Sequence, residues 1–368
     1  FDLTSVPLLR LALVCLRDEE HVLLLTAHET ILDAWGAGVL LRLLDDAYLR
    51  CLAGDPTPET SLRPQFAEYA RWESEMQVRF RSTPARDYWT TLLAGDLPRL
   101  SLPFDQTPSS GLSHRGASLE AELSPELRTR IEQLCGEQRC TLSVWLLTAY
   151  FVTLAVYSNQ ADLVVGVPFA NRVDERSEEM LGNFLNLLPV RLQLSSDLTV
   201  RQLVSAIGEQ LTQSISNASY PFQCMVQDAR AAADSSRTPI FQVFFDMLHI
   251  PPSTAGASPV RMKFQNIERG YYKYELNLHA HSSDEGVFLR LSYLTALFKA
   301  STAEALLLSL QSALRIMTET PFLPLSEVMA RVVAEAPPEL RARVASLPPP
   351  GEEKARVGLR RPAAGLLA

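Results

Sequence analysis

The chain has 368 residues, 47% of them hydrophobic, and a formal net charge of −8. That length and apolar content suffice for a sizeable core and for two domains. The acidic balance, with no Lys/Arg cluster interleaved with aromatics, argues against nucleic-acid binding. Five cysteines, Cys15, Cys51, Cys135, Cys140 and Cys224, follow no C-x-x-C or framework spacing and read as the reduced thiols of a cytoplasmic protein. The apolar stretch from Leu142 to Ala155 is interrupted by Ser143, Thr148 and Thr153 and falls short of a membrane span, no secretory signal is visible, and no membrane partner is expected. Asn217-Ala218-Ser219 matches a glycosylation sequon by spelling alone.

Taken in chain order, Leu9 to Leu16 and Val22 to Ala27 read as strands, and a helix is expected from about Trp35 to Leu52, where Val39, Leu40, Leu43, Leu44, Ala47 and Tyr48 recur at helical spacing. A polar loop at Gly54 to Pro64, an amphipathic helix through Tyr69 and Trp72 and a helix around Tyr88-Trp89 follow. Pro103 to Gly116 is rich in Pro, Ser and Gly and marks the expected domain boundary. Ala117 to Leu123 then reads as a strand. Ser124-Pro125 opens a helix as cap and first-turn proline, with Leu127, Ile131 and Leu134 on its buried face. Thr141 to Tyr157 is an apolar helix, and Leu163 to Val167 a strand covered on both faces. Ile240 to Leu248, Glu275 to Ala280 and Val287 to Leu294 supply further strands, and Thr302 to Met317 a late helix. Beyond about Val328, Ala-, Pro- and Arg-rich sequence reads as a flexible linker or tail.

Chemistry concentrates in Thr26-Ala27-His28-Glu29-Thr30-Ile31-Leu32-Asp33-Ala34-Trp35, a short loop between a strand and a helix that holds three ionisable side chains. His-Glu-x-x resembles the start of a zinc-protease site, but Leu32 stands where the second His ligand must be. His279 and His281 alternate along one strand without a third ligand, and two solvent-side histidines are the simpler reading. No metal site is expected. Gly36-Ala37-Gly38 lacks the third glycine of a dinucleotide loop, and neither a GxxxxGK[ST] nor a GxSxG motif is present.

His28-x4-Asp33 resembles the HHxxxDG(W) motif of nonribosomal peptide synthetase condensation domains. Glu29 stands in place of the second His and Ala34 in place of Gly, while Trp35 fits. Further matches follow in order. Phe66 to Trp72 resembles YxDxAxW, and Tyr88 to Gly95 with Leu102-Pro103-Phe104-Asp105 resembles the helix and LP-x-D strip after it. Leu181 to Arg191 resembles GxFVNTLxxR, Tyr220-Pro221-Phe222-Gln223 resembles xxPFE, and Asp234 to Val243 resembles RDxSRNPLFQV. By this resemblance the fold is α/β, two chloramphenicol-acetyltransferase-like subdomains in a V shape. Residues 1–108 form an N-terminal, acceptor-side subdomain truncated at its N-terminus, residues 109–328 a C-terminal subdomain, and residues 329–368 a linker or tail. The SxAQxRLW and RHExLRTxF strips have no counterpart, and since Asp of HHxxxDG usually pairs with Arg of the latter, Asp33 is expected to lack its partner.

The resemblance implies an acyltransferase of a nonribosomal peptide or hybrid polyketide assembly line. An acceptor amine attacks a donor thioester, both delivered on the phosphopantetheine arms of donor and acceptor carrier proteins, with no cofactor held by the domain. Glu29 takes the place of the His thought to position that amine. A carboxylate accepts hydrogen bonds but cannot donate one unless protonated, and with an ordinary pKa of about 4.3 this group type is a weak base unless burial raises it. Three readings stand at this point: impaired condensation, a carboxylate-assisted reaction, or an introduced substitution. His28 is expected to be mainly structural, and Asp33 architectural as helix cap or ion-pair member. Trp35, Arg191 and Arg237 belong to motifs that shape the cleft, and Asn186 is expected to face it. The competing class is a non-catalytic condensation-like module that docks carrier proteins or recruits a tailoring enzyme. A transferase using another nucleophile is a third possibility.

Overall fold

The computed structural model describes residues 1–55, 65–80, 83–106, 113–172, 174–229, 237–249, 267, 270–283 and 286–346. The chain begins with an antiparallel hairpin of β1 (Leu9–Arg17) and β2 (Glu20–Ala27) in which Leu11 faces Leu25 and Leu13 faces Leu23. Helix α1 (Ala34–Leu52) follows the expected period, with Asp33 as its N-cap. Then come α2 (Phe66–Phe80) and α3 (Pro84–Leu92). The loop at Gly54 to Pro64 and the boundary at residue 108 lie largely outside the described residues.

The remaining strands form one mixed sheet, β3 (Gly116–Glu122), β4 (Asp162–Phe169), β5 (Asn186–Gln193), β6 (Val243–His249), β7 (Leu276–Ser283) and β8 (Gly286–Leu294), in the order β3-β8-β7-β6-β4-β5. β6 runs parallel to β4 and β7, and the other pairs are antiparallel. One face carries the main core. Helix α5 (Leu142–Ser158) lies against it, hydrophobic all round and buried from Val144 to Ser158, as a helix with apolar residues on every side must be. Thr141 caps it, and the Thr148 and Thr153 hydroxyls are satisfied by the carbonyls of Val144 and Ala149. Helices α4 (Pro125–Gln138), α7 (Val200–Ser216) and α9 (Ala300–Glu319) complete this layer. α6 (Glu175–Glu178) and α8 (Phe222–Asp228) are short connectors. The Ser124 cap and Pro125 start of α4 appear as the sequence indicates.

The opposite face of the sheet holds a second cluster in which Trp89 and Leu93 meet Val164, Tyr220, Met225, Phe241 and Phe244. Arg191 fastens α3 to the sheet. Its guanidinium makes a bidentate contact with Asp162 at 3.0 and 2.8 Å and donates to the carbonyls of Leu92 and Ala94. Arg237 does the same for the segment after α3, pairing with both oxygens of Glu275 and donating to Leu100 O at 2.8 Å. Residues 234–236 of its motif lie outside the described residues. Asn186, expected to face the cleft, is buried; its amide donates to the carbonyls of Ala218 and Tyr220 and accepts from Phe222 N, so it shapes the α7–α8 connection.

The expected tail from residue 329 is also corrected. Helix α10 (Leu325–Glu335) and helix α11 (Pro338–Ala345) continue the fold, and Val328, Val332, Ala336 and Leu340 enter the main core. Their four-residue spacing is a helical stripe that Ala336-Pro337-Pro338 disguises. Residues 347–368 lie outside the described residues.

Gly166 on β4 marks a close approach. A Cβ there would lie 2.1 Å from the Phe241 ring. Gly166→Ala is therefore expected to lower stability by about 1–3 kcal/mol, the usual cost of overpacking, read as a lower urea midpoint. Companion Phe241→Leu should recover part of the loss, and an unchanged midpoint in Gly166→Ala would contradict the packing argument.

Candidate functional site

The site is the turn between β2 and α1. β2 ends at Ala27, and His28 N is held by Leu8 O at 3.0 Å while Ile31 N returns to His28 O, closing a tight turn. Asp33 then fixes where α1 starts. Its Oδ1 accepts from Gly36 N at 2.6 Å, which satisfies a helix-terminal donor, and Oδ2 accepts from Phe184 N at 3.0 Å. Gly36 fits closely here, since a Cβ would stand 3.0–3.2 Å from Leu32, Asp33 and Gly182 O and those neighbours would have to give by a few tenths of an ångström.

Asp33 is not without a partner. Arg172 Nη2, from the segment after β4, lies 2.9 Å from Asp33 Oδ1, with both side chains buried at 2% and 5% exposure. Its terminal nitrogens also donate to carbonyls: Nη2 meets Gly182 O, and Nη1 meets Met180 O at 2.8 Å and Ser177 O, while the buried Nε has no partner among the described residues. It stacks over Phe184 at 4.3 Å and reaches the ring of Trp35 at 5.9 Å. Trp35 is half-exposed and donates its Nε1–H to Glu178 O at 3.0 Å. Asp33 is thus both cap and ion-pair member.

His28 is half-buried. Its Nδ1 accepts from Thr30 N at 3.2 Å and lies 2.9 Å from Thr30 Oγ1, which leaves the proton of a neutral ring on Nε2. Phe1 packs edge-on against the ring at 6.0 Å. These local contacts fit a structural imidazole.

Glu29 points the other way, towards the large sheet. Its Oε1 lies 2.5 Å from Lys273 Nζ, two residues before Glu275, and the two side chains are 63% and 65% exposed. The neighbouring Tyr274 hydroxyl is pushed up to about 12, first by burial and then by the Glu29 charge, so it stays a hydrogen-bond donor at neutral pH. Glu29 itself is open to solvent. What this turn offers is therefore an acceptor carboxylate flanked by an ammonium and a phenol, with no imidazole at the second motif position.

Arg172, Lys273 and Tyr274 were not singled out in the sequence. Arg172 stands 139 residues from Asp33, and no local period links them. Arg172 and Arg176 both lie between β4 and the Gly182-Asn183-Phe184 strip, and nothing local marks which of them reaches Asp33. Among the described residues no group of three His, Cys, Asp or Glu side chains could hold a metal ion, and no single helix is long and apolar enough to cross a membrane.

Comparison with known proteins agrees with this geometry. The family model described as Condensation domain matches residues 1–335. The chain is 30% identical over 328 residues to surfactin synthase subunit 1 of Bacillus subtilis (strain 168), covering 89% of this chain and 9% of that protein. To tyrocidine synthase 3 of Brevibacillus parabrevis it is 30% identical over 304 residues, covering 83% and 5%. The chain thus spans less than a tenth of either relative. Among solved structures it resembles the X-domain from teicoplanin biosynthesis, with TM-score 0.78 and 26% identity over 89% of this chain and 75% of that one. It resembles the same domain in its complex with OxyB at 0.77 and 26%, covering 89% and 74%. The condensation domain of the monacolin K polyketide synthase MokA shares the fold at 0.75 and 20% identity, covering 88% and 75%.

The Asp33–Arg172 pair should dominate the stability of this turn. Asp33→Ala and Arg172→Ala are each expected to cost about 3–5 kcal/mol, because either leaves a buried charge unpaired. The double variant should cost clearly less than the two together. Guanidinium unfolding of the four proteins checks this, and additive losses would show that the pair does not act as a unit.

Proposed function

Because the chain belongs to the condensation-domain family, we propose that it works as a condensation-type domain of a nonribosomal peptide or hybrid polyketide assembly line with a weakened amide-forming step. In this reading two carrier proteins deliver a donor thioester and an acceptor amine on their phosphopantetheine arms. The amine nitrogen attacks the thioester carbonyl, the C–S bond breaks, and the nitrogen gives up a proton as the thiol leaves. The domain itself carries no cofactor, and the cytosol is the proposed setting, in keeping with five free cysteines. The two carriers are the proposed partners.

The observation that carries the reading is the position of Glu29. Its exposed carboxylate is engaged by Lys273 at 2.5 Å, in the place where this chemistry calls for a group that can take a proton near neutral pH. Such a group typically contributes on the order of 10² to 10⁴ in rate. The surrounding frame of Asp33, Arg172 and the motif arginines favours a cleft that still receives carrier-borne substrates.

A second reading, a module that recruits a tailoring enzyme, is favoured by the likeness to an X-domain that forms a complex with OxyB. Carrier proteins loaded with acyl and aminoacyl thioesters, mixed with the native chain, Glu29→His or Glu29→Ala, separate the two by mass spectrometry of the product. Glu29→His is expected to form the amide on the order of 10² faster than the native chain, with Glu29→Ala no better than native. Product from the native chain that disappears in Glu29→Ala would make the carboxylate catalytic and sink the weakened-step reading. No product from any variant would favour the recruiting module.

A further inference from the structure

Lysine is scarce in this chain. Lys263, Lys273, Lys299 and Lys354 are four of its 34 lysines and arginines, and the ion pairs that fasten the fold, those of Arg172, Arg191 and Arg237, all use arginine. The difference is physical. A guanidinium is a planar fork that suits one fixed carboxylate, whereas an ammonium is a compact point charge whose three donors can face more than one acceptor. Lysine is therefore the basic residue suited to a place where a second carboxylate arrives and leaves.

Lys273 stands at such a place. Its backbone is fixed on both sides: Tyr272 N donates to His114 O at 2.9 Å, and Glu275 N donates to Gln242 O at 2.9 Å. The Tyr274 ring stacks on Phe244 with centroids 4.9 Å apart and planes within 5°. The Lys273 side chain is nonetheless 65% exposed. Glu29 is presented in the same way, as an exposed carboxylate on a turn that Asp33 and Arg172 hold from beneath. The two charges come from positions 244 residues apart and meet in solvent, where such a pair adds little to stability. The contact takes up one carboxylate oxygen and one of three ammonium donors.

This juxtaposition sets a charge pattern. In the proposed function Glu29 stands where the acceptor's ammonium is oriented. An ammonium brought there lies beside Lys273, and like charges so close repel. A carboxylate carried three bonds from that ammonium offsets the repulsion, because it faces Lys273 while the ammonium faces Glu29. The four charges then alternate around a ring in which every neighbour has the opposite sign. Bonds of about 1.5 Å put an α-amine and a β-carboxylate about 3–4 Å apart, which is the spacing of ion-pair partners.

We propose that Lys273 is a specificity-determining residue that favours an acceptor aminoacyl group with a side-chain carboxylate, of which aspartyl is the shortest. Glu29 takes the acceptor's ammonium and Lys273 its carboxylate. The inference deepens the proposed function and rests on it, because it assumes that an acceptor amine is delivered to Glu29.

The test compares two isosteric acceptors by binding alone, independent of turnover. A carrier protein is loaded with aspartyl- or asparaginyl-pantetheine through a non-hydrolysable amide link, and dissociation constants are measured by calorimetry at low salt. The native chain is expected to bind the aspartyl carrier about threefold more tightly, within the worth of one exposed ion pair. The chain's net charge of −8 opposes the added negative charge, so its overall field does not produce this preference. Lys273→Met should remove the preference, and Lys273→Glu should reverse it in favour of the asparaginyl carrier. Lys273 is exposed, so neither variant threatens the fold. Glu29→Gln should weaken both carriers and keep the preference, and salt of about 1 M should bring the two probes to parity in the native chain. Equal affinities in the native chain at low salt, or a preference that survives in Lys273→Met, overturn the role of Lys273 and leave the carrier-based function standing. Failure of both loaded carriers to bind overturns the carrier-based function together with this inference.

Discussion

The buried pair of Asp33 and Arg172 is the constraint on which the site depends. A guanidinium at 2% exposure is tolerable only when its charge is paired and most of its donors are used, and here one carboxylate and three carbonyls engage Nη1 and Nη2, with only Nε lacking a partner among the described residues. The carbonyls of Ser177, Met180 and Gly182 belong to the strip that leads into β5, while the carboxylate belongs to the first turn of α1. One side chain therefore holds the β2–α1 turn against the large sheet. Asp33 N and Phe184 N reinforce the same junction through Gly182 O and Asp33 Oδ2. Where His28 and Glu29 stand is a consequence of this arrangement.

The contact that Glu29 makes is of another kind. Its pair with Lys273 is open to solvent, and exposed pairs of this type are worth about 0–1 kcal/mol and are screened by salt. The turn thus combines a rigid anchor with a soft charge contact. A competing ammonium could exchange with Lys273 at little energetic loss, which is what the proposed orienting role of Glu29 asks of this contact.

Much of this was legible in the sequence, for physical reasons that also explain what was not. The helix period of α1, the Ser124-Pro125 start of α4 and the all-apolar α5 are local properties, and they appear in the structure as read. The cap role of Asp33 is local too. Its partner Arg172 and the partner Lys273 of Glu29 are set by how β4 and β7 lie in the sheet, and no spacing rule in one sequence reports that register. The backbone role of Asn186 was not legible either: its buried amide makes four hydrogen bonds to groups up to 36 residues away, and no motif spacing reports them. α10 and α11 were hidden because the Ala336-Pro337-Pro338 break between them reads as linker sequence while only about every fourth residue is buried.

Frame and chemistry are separable in this turn. Asp33, Gly36, Phe184 and Arg172 determine the path of the backbone through contacts in which the side chain at position 29 takes no part. Glu29 is exposed, so a side chain of different size and charge can occupy that position without disturbing a buried neighbour. A substitution there therefore leaves the geometry of the turn in place, so in the proposed reading exchanging the carboxylate for an imidazole tests proton transfer alone.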